Sequence, residues 1–220
     1  MRASVIGSLV TVFVSATLLA GGCAGQKRTA LWNGKDFGGW KLFIPDEKVN
    51  VNDVWSVRGG VIHCTGKPNG YMRTEEDYSD YKLHLEWRWV EGEYERRNSG
   101  VLLHMSGPDK VWPRCIEAQL MSQNAGDFWL IGGTAITVDG KRTESAGGPT
   151  RVVKKTQHSE QPIGRWNSYD IFCKGDTIRC LVNGVLQNHG TSASERSGKI
   201  CLQSEGAPIE FRNIYIENFD

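Results

Sequence analysis

Net charge is almost absent from this sequence: 26 basic residues stand against 25 acidic ones in 220, a formal charge of +1. So small a charge sets up no long-range field to hold a phosphate backbone, and no nucleic-acid partner is expected. Proline is sparse, at 7 residues, and no window of eleven residues carries a helical apolar stripe. Several catalytic signatures are missing as well. The chain has no G-x-S-x-G nucleophile elbow, no phosphate-cradling G-x-x-x-x-G-K-[ST] and no G-x-G-x-x-G. The E-x-D-x-x-E run of many retaining glucanases is also lacking, because Glu86 to Glu91 has Arg88 where the aspartate belongs. A standard glycosidase with two carboxylates on one strand is therefore disfavoured, although Glu86 and Glu117 remain a conceivable pair from separate strands. There is no C-x-x-C, and His63, His84, His104, His158 and His189 show no ligand spacing, so zinc is not expected. No metal ligand and no cofactor is assigned, and the part of a divalent ion is left open.

What is present begins with an address. Arg2 is followed by an uncharged stretch from Ala3 to Gly22 with an apolar centre, and then by Cys23. A positive start, an apolar middle and small residues before the cut describe a secretory signal. The stretch nears the ~20 residues of a membrane span, but Gly7, Gly21, Gly22 and the absence of a basic stop-transfer cluster favour cleavage. Leu19-Ala20-Gly21-Gly22-Cys23 resembles a bacterial lipoprotein box, with Ala20 where Leu is commoner. Residues 1–22 are read as a lipoprotein signal, Cys23 as the lipidated N-terminus, 23–30 as a tether and 31–220 as one domain. The expected location is the periplasm or the outer membrane and cell surface, with membrane contact only through the lipid. Cys64, Cys115, Cys173, Cys180 and Cys201 then form an odd set, expected to be mostly buried thiols with at most one disulfide.

Along the mature chain the period is two. Tyr81-Lys82-Leu83-His84-Leu85-Glu86-Trp87-Arg88-Trp89 has large apolar side chains at every odd position and polar ones at every even position. Further strands are expected at 54–57, 61–64, 99–105, 115–121, 135–138, 169–174, 177–182, 199–203 and 209–217. Gly59-Gly60 and Asn183-Gly184 are two-residue hairpin signals, and the 26 glycines fit many turns. Short strands with glycine-rich turns predict an all-β fold, an antiparallel β-sandwich or barrel.

A polar strand face is where chemistry must be sought. His84, Glu86 and Arg88 share one face; Glu117 and Gln119 share another; Asn98 and His104 stand at even spacing between them. If these strands are neighbours, Glu86, Arg88, Asn98, His104, Glu117 and Gln119 converge on one patch. Otherwise they are a solvated face of cross-strand salt bridges. Loops 106–114 and 122–129 flank the strand at 115–121, and each carries a tryptophan among polar groups. An indole face beside carboxylates and amides suits a sugar, which makes Trp112 and Trp129 candidate platforms. Trp32, Trp40, Trp55, Trp87, Trp89 and Trp166 are assigned to the core or its rim.

Seven segments in order carry a family resemblance: Leu31-Trp32-Asn33-Gly34-Lys35-Asp36-Phe37-Gly38-Gly39-Trp40, Trp55-Ser56-Val57 with Gly59-Gly60-Val61-Ile62, Leu85-Glu86-Trp87-Arg88, Asn98-Ser99-Gly100-Val101, Glu117-x-Gln119, Trp166-Asn167 and Ile209-Glu210-Phe211-Arg212-Asn213-Ile214. The chain from Leu31 onward resembles the 3-keto-disaccharide hydrolase domain family, found often in exported bacterial proteins. It departs from the commoner pattern at 121–133, where the loop is rich in Trp and Gly. The resemblance implies a concanavalin A-like jelly roll and an enzyme acting on 3-keto-glycosides. The ketone acidifies the hydrogen on C2; a base removes it, the glycosidic oxygen leaves C1, and water adds back. The polar patch has the kinds of group this reaction needs: by face alternation and motif position Glu117 and His104 are assigned as base and acid in either order and Arg88 as stabiliser of the enolate oxygen. Glu86, Asn98, Gln119 and Asp127, with Trp112 and Trp129, are the expected substrate binders. The rival readings are a non-catalytic carbohydrate-binding jelly roll and a structural envelope protein. The expected partner is a carbohydrate, and oligomeric state is not assigned.

Overall fold

The computed structural model describes Met1 and residues 27–219. The expected signal segment from residue 2 onward, and Cys23, lie outside the described residues. The strands run β1 (Arg28–Ala30), β2 (Trp40–Phe43), β3 (Trp55–Arg58), β4 (Val61–Cys64), β5 (Gly70–Thr74) and β6 (Tyr81–Trp89). Next come β7 (Gly100–Ser106), β8 (Arg114–Gln119), β9 (Phe128–Ile131), β10 (Ala135–Val138), β11 (Lys141–Glu144) and β12 (Thr150–Val152). The chain closes with β13 (Asn167–Lys174), β14 (Thr177–Val182), β15 (Val185–Gly190), β16 (Lys199–Ser204) and β17 (Ile209–Asn218). One four-residue helical turn, α1 (Val51–Val54), is capped by the Asn50 side chain. The tether read at 23–30 ends in β1, which pairs with β17, so the sandwich starts at Arg28.

Two antiparallel sheets make the jelly roll. One has the order β15-β14-β13-β6-β17-β4-β3, with β1 also on β17; the other has the order β12-β9-β8-β7-β16-β5-β2. The alternation in β6 is realised without a break: its odd residues are buried and its even ones half-buried. Leu83, Leu85 and Trp87 of β6 and Tyr169 of β13 share a single inter-sheet core with Phe128 and Leu202 of the other sheet. A fully buried side chain of this size contributes roughly 1.5–3 kcal/mol relative to its exposed state. Gly59 and Gly60 both take positive φ, as a two-residue hairpin turn with the strands' own twist requires, and Asn183-Gly184 repeats the device. Cys64, Cys115, Cys173, Cys180 and Cys201 are all buried free thiols.

One expected adjacency is overturned. β6 belongs to the eight-stranded sheet, between β13 and β17, whereas β7 and β8 are central in the other. The chain crosses between the layers after Trp89, so the polar faces of β6 and β8 point away from each other on opposite sides of the molecule.

Candidate functional site

The outer face of the seven-stranded sheet is not a simple solvated face. Tyr71, Leu102, Met105, Cys115, Ile131 and Cys201 form a second buried cluster there, with Phe43 and Trp129 packed against it. Cross-strand register explains the grouping: Arg73, Cys201, Leu102, Glu117 and Trp129 are successive partners in one row over β5, β16, β7, β8 and β9. The loop of residues 107–113 folds over this face and is held there by Asp109. That carboxylate accepts from the Tyr71 hydroxyl at 2.9 Å, Arg73 Nε at 2.8 Å and Lys41 Nζ at 2.8 Å. These bonds hold the Asp109 carboxyl well below the ordinary range against the opposing effect of its partial burial.

Where the loop ends, a pocket of about 190 Å³ opens, lined by Arg96, Asn98, Trp112, Glu117, Gln119, Trp129, Ile131, Pro149 and Glu205. Trp112 is 49% exposed, and Trp129 packs its indole onto the apolar floor. Glu117 is 4% exposed, and its Oε1 has no hydrogen-bond partner. Burial raises its carboxyl well above the ordinary range; Glu205 adds to this and Arg96 opposes it. Glu205 is raised too, first by burial, with Arg96 and the neighbouring Asn98 side chain working against the rise. Two carboxyls displaced upward in one cleft are the pattern of a proton-transfer site. Gln119 Oε1 accepts from the Leu120 and Met121 N–H groups, both at 2.8 Å, which leaves its amide nitrogen as the donor for the pocket.

Gly100 sits beneath these groups. A Cβ there would lie 2.1 Å from Glu117 Oε1 and 2.7 Å from Gln203 Oε1, so the absence of a side chain makes room for both to lean over β7.

The profile of the 3-keto-alpha-glucoside-1,2-lyase-like domain matches residues 27–217, which takes in both sheets but for the last residue of β17. The chain belongs to this family. No curated protein matches it in sequence. Among solved structures it is similar to a presumptive glycosyl hydrolase from Parabacteroides distasonis, with TM-score 0.62 and 23% identity over 88% of this chain and 94% of that one. It is also similar to the Bacillus licheniformis β-glucanase, with TM-score 0.58 and 12% identity over 90% and 100% of the two chains. A carbohydrate-binding module from Bacillus subtilis superposes with TM-score 0.57 and 14% identity over 82% and 96%. These likenesses show the jelly-roll fold, and membership of the family makes this a carbohydrate-active domain.

Within this 3-keto-α-glucoside-1,2-lyase-like domain, the expected site residues separate. Asn98, Glu117, Gln119, Trp112 and Trp129 line one pocket, although Trp129 stands on β9 rather than in a loop. Glu86 and Arg88 do not reach it. Glu86 accepts from Arg212 Nε at 2.6 Å and Asn213 Nδ2 at 2.8 Å, and Arg88 Nε donates to Glu210 Oε2 at 2.5 Å, all on the outside of the eight-stranded sheet. The Arg88 and Arg212 guanidiniums both stack on Trp166, 4.6 and 4.1 Å from its ring centre. This is a cross-strand salt-bridge face. Arg88→Ala is therefore expected to leave sugar binding and turnover at the wild-type level; an assay beside Glu117→Gln checks this, and a comparable loss in both would restore Arg88 to the site.

His104 is also removed. Even spacing from Asn98 puts it on the pocket face only if β7 is regular, but the β7–β8 register shifts between Leu103 and Ser106. His104 takes a positive φ of 55° and turns inward, edge-on to Tyr81 at 5.6 Å, with Nδ1 on the Glu195 carbonyl at 3.0 Å. Burial lowers its pKa, so it sits as a neutral core imidazole. Asp127 is fully buried and binds Arg151 and the Lys154 N–H, not the pocket. Sequence reasoning missed Arg96, Gln203 and Glu205. Cys201, Gln203 and Glu205 alternate along and just past β16, a signal for one face that was available in the sequence.

Proposed function

We propose that this pocket cleaves the glycosidic bond of 3-keto-glycosides by elimination and hydration, in a protein exported to the cell envelope and anchored there through Cys23. The observation that carries the reaction is the paired carboxyls: Glu117, buried and unpartnered, beside the less enclosed Glu205. Elimination needs one group that is ionised and one that holds a proton. Glu205, moderated by Arg96 and Asn98, is the base that takes the C2 proton. Glu117, pushed further up, keeps its proton at neutral pH and delivers it to the departing glycosidic oxygen. The C2–H electron pair forms the C1=C2 bond as the C1–O bond breaks, giving an enone and a free alcohol. Water then adds its oxygen to C1 and a proton returns to C2, so the net change is hydrolysis.

Arg96, at the pocket rim, is the cation available for the enolate oxygen. The Gln119 amide nitrogen and the Asn98 side chain address hydroxyls, and Trp112 and Trp129 offer indole surface to the ring. The formal charge of +1 includes Arg2, and removal of the signal leaves 25 basic against 25 acidic residues, which suits an uncharged ligand.

Glu205→Gln should abolish C2 proton exchange into deuterated water on a 3-keto-glucoside while leaving affinity for the sugar. Retained exchange would remove Glu205 as base. Tight binding of an intact glycan by the wild-type protein with no turnover of its 3-keto form would replace the enzyme with a binding module. Trp112→Ala is expected to raise KM about tenfold with little change in kcat, the cost of one lost stacking platform.

A further inference from the structure

Three buried acceptor oxygens at the floor of the pocket and beside it have no hydrogen-bond partner: Asn98 Oδ1, Glu117 Oε1 and Gln203 Oε1. Their residues are 3%, 4% and 2% exposed. A buried polar atom without a partner costs roughly 1–3 kcal/mol, so three together in one place ask for a common partner. They are together. Glu117 Oε1 and Gln203 Oε1 lie 2.1 and 2.7 Å from the same point above Gly100, hence no more than 4.8 Å apart. Asn98 forms backbone bridges with Glu205 and Gly206, which brings the second carboxylate to the same end of β7 and β16.

We propose that Asn98, Glu117, Gln203 and Glu205 form a binding site for a divalent cation of the calcium class. The donor set is all oxygen, two carboxylates and two amide carbonyls, with two negative charges to balance a divalent ion. Calcium takes such mixed carboxylate and carbonyl sets at about 2.3–2.6 Å, and two oxygens on one calcium lie at most about 5 Å apart. The bound of 4.8 Å over Gly100 falls within that limit. Magnesium is less suited, because it keeps most of its water and rarely takes a cage of side-chain carbonyls. Zinc is less suited again. It prefers nitrogen and sulfur, and among the described residues no three His, Cys, Asp or Glu side chains converge.

Two other partners could serve these oxygens. A proton on Glu117 satisfies Gln203 Oε1 and leaves Asn98 Oδ1 bare. Sugar hydroxyls bring one hydrogen each and need several placed at once. One cation answers all three atoms and still leaves coordination positions toward the open pocket. The Arg96 guanidinium acts on Glu117 and Glu205 by its charge at a distance. The ionised pair that holds the cation excludes the protonated Glu117 and the free Glu205 of the reaction assigned to the pocket, so bound calcium is expected to suppress turnover and its removal to restore it.

The test is a titration of the purified full-length protein, stripped with EDTA, with calcium chloride and in parallel with magnesium and manganese chloride. Heat of binding and thermal melting are read with no sugar present. One calcium per chain is expected, with a rise in Tm of about 5 °C at calcium a hundredfold above its Kd. Asn98→Ala and Glu205→Gln, each compared with its own EDTA-treated form, should lose most of that rise. Glu86→Gln, on the opposite sheet, should keep it. No heat and no Tm shift in the wild type at millimolar calcium overturns the site, whatever the variants do. A shift that persists in both pocket variants overturns it too. Turnover of a 3-keto-glucoside that is indifferent to calcium and to EDTA counts against the cation while sustaining the reaction. Calcium binding with no turnover even in the EDTA-stripped protein does the reverse.

Discussion

Glu117→Gln is expected to lower turnover of a 3-keto-glucoside by about 10²–10⁴-fold, the usual contribution of a positioned proton donor, and at the same time to make the protein more stable. The two effects have one cause. Glu117 lies under the pocket with an unpartnered oxygen, and burial together with Glu205 raises its carboxyl well above the ordinary range. A carboxyl whose folded pKa exceeds its unfolded one stabilises the fold fully below the unfolded value. That contribution is lost as pH climbs through the folded value, because the unfolded chain releases the proton more readily. Glutamine is neutral at every pH and keeps the shape of the protonated acid, so the variant escapes the loss. Its Tm advantage over wild type should therefore be small in mild acid and grow steadily toward alkaline pH. Melting curves across that range, alongside a turnover assay, check both halves. A Tm difference that does not change with pH would show that Glu117 ionises as an ordinary surface acid, and turnover within a few-fold of wild type would remove it from the proton relay.

Strand existence and type were legible where a strand carries its own two-residue period; β2, β5, β9 and β12 are short runs such as Gly70-Tyr71-Met72-Arg73-Thr74 and Phe128-Trp129-Leu130-Ile131 that lack it, and they were not expected as strands. The nine residues of β6 show it without exception, and Gly59-Gly60 and Asn183-Gly184 mark turns by a backbone need that few other residues meet. The half of the site on β8 was legible for the same reason: Glu117 and Gln119 alternate with Ile116 and Ala118, and only one of those faces can be the inter-sheet core. What alternation cannot say is which sheet a strand joins. Glu86 and Arg88 look as polar on β6 as Glu117 and Gln119 do on β8, yet the two faces end on opposite sides of the molecule. His104 failed for a different reason. A register shift moved one residue to the other face, and nothing in Leu102-Leu103-His104-Met105 announces a bulge. Gln203 on β16 and Glu205 just past it lie far beyond Glu117 in the chain, and the pairing of β16 with β7 brings them beside it.

Asp127→Ala is expected to destabilise the fold by about 2–3 kcal/mol, close to the range for hydrogen bonds to a charged group, and so to lower Tm by roughly 5–10 °C. Asp127 precedes β9 and is completely buried. One of its oxygens accepts from Arg151 Nε at 2.6 Å and the other from the Lys154 N–H at 2.8 Å, which ties β12 and the segment after it to β9. Alanine would strip a buried backbone N–H of its acceptor and leave the Arg151 guanidinium without its anion. Breaking a wholly buried pair costs more, about 3–5 kcal/mol, but the Arg151 side chain is 39% exposed and can recover water. Asp127→Asn keeps an acceptor for the Lys154 N–H and should fall between the two. The pocket would feel the change indirectly. Arg151 is the register partner of Trp129, and Pro149 of the pocket wall lies just before β12, so loosening this edge should raise KM for the sugar. Melting the sugar-free variant separates the clamp described here from the hydroxyl-binding role its sequence context suggested. A clamp lowers Tm with no ligand present, whereas a hydroxyl binder would leave the sugar-free Tm unchanged and move KM alone.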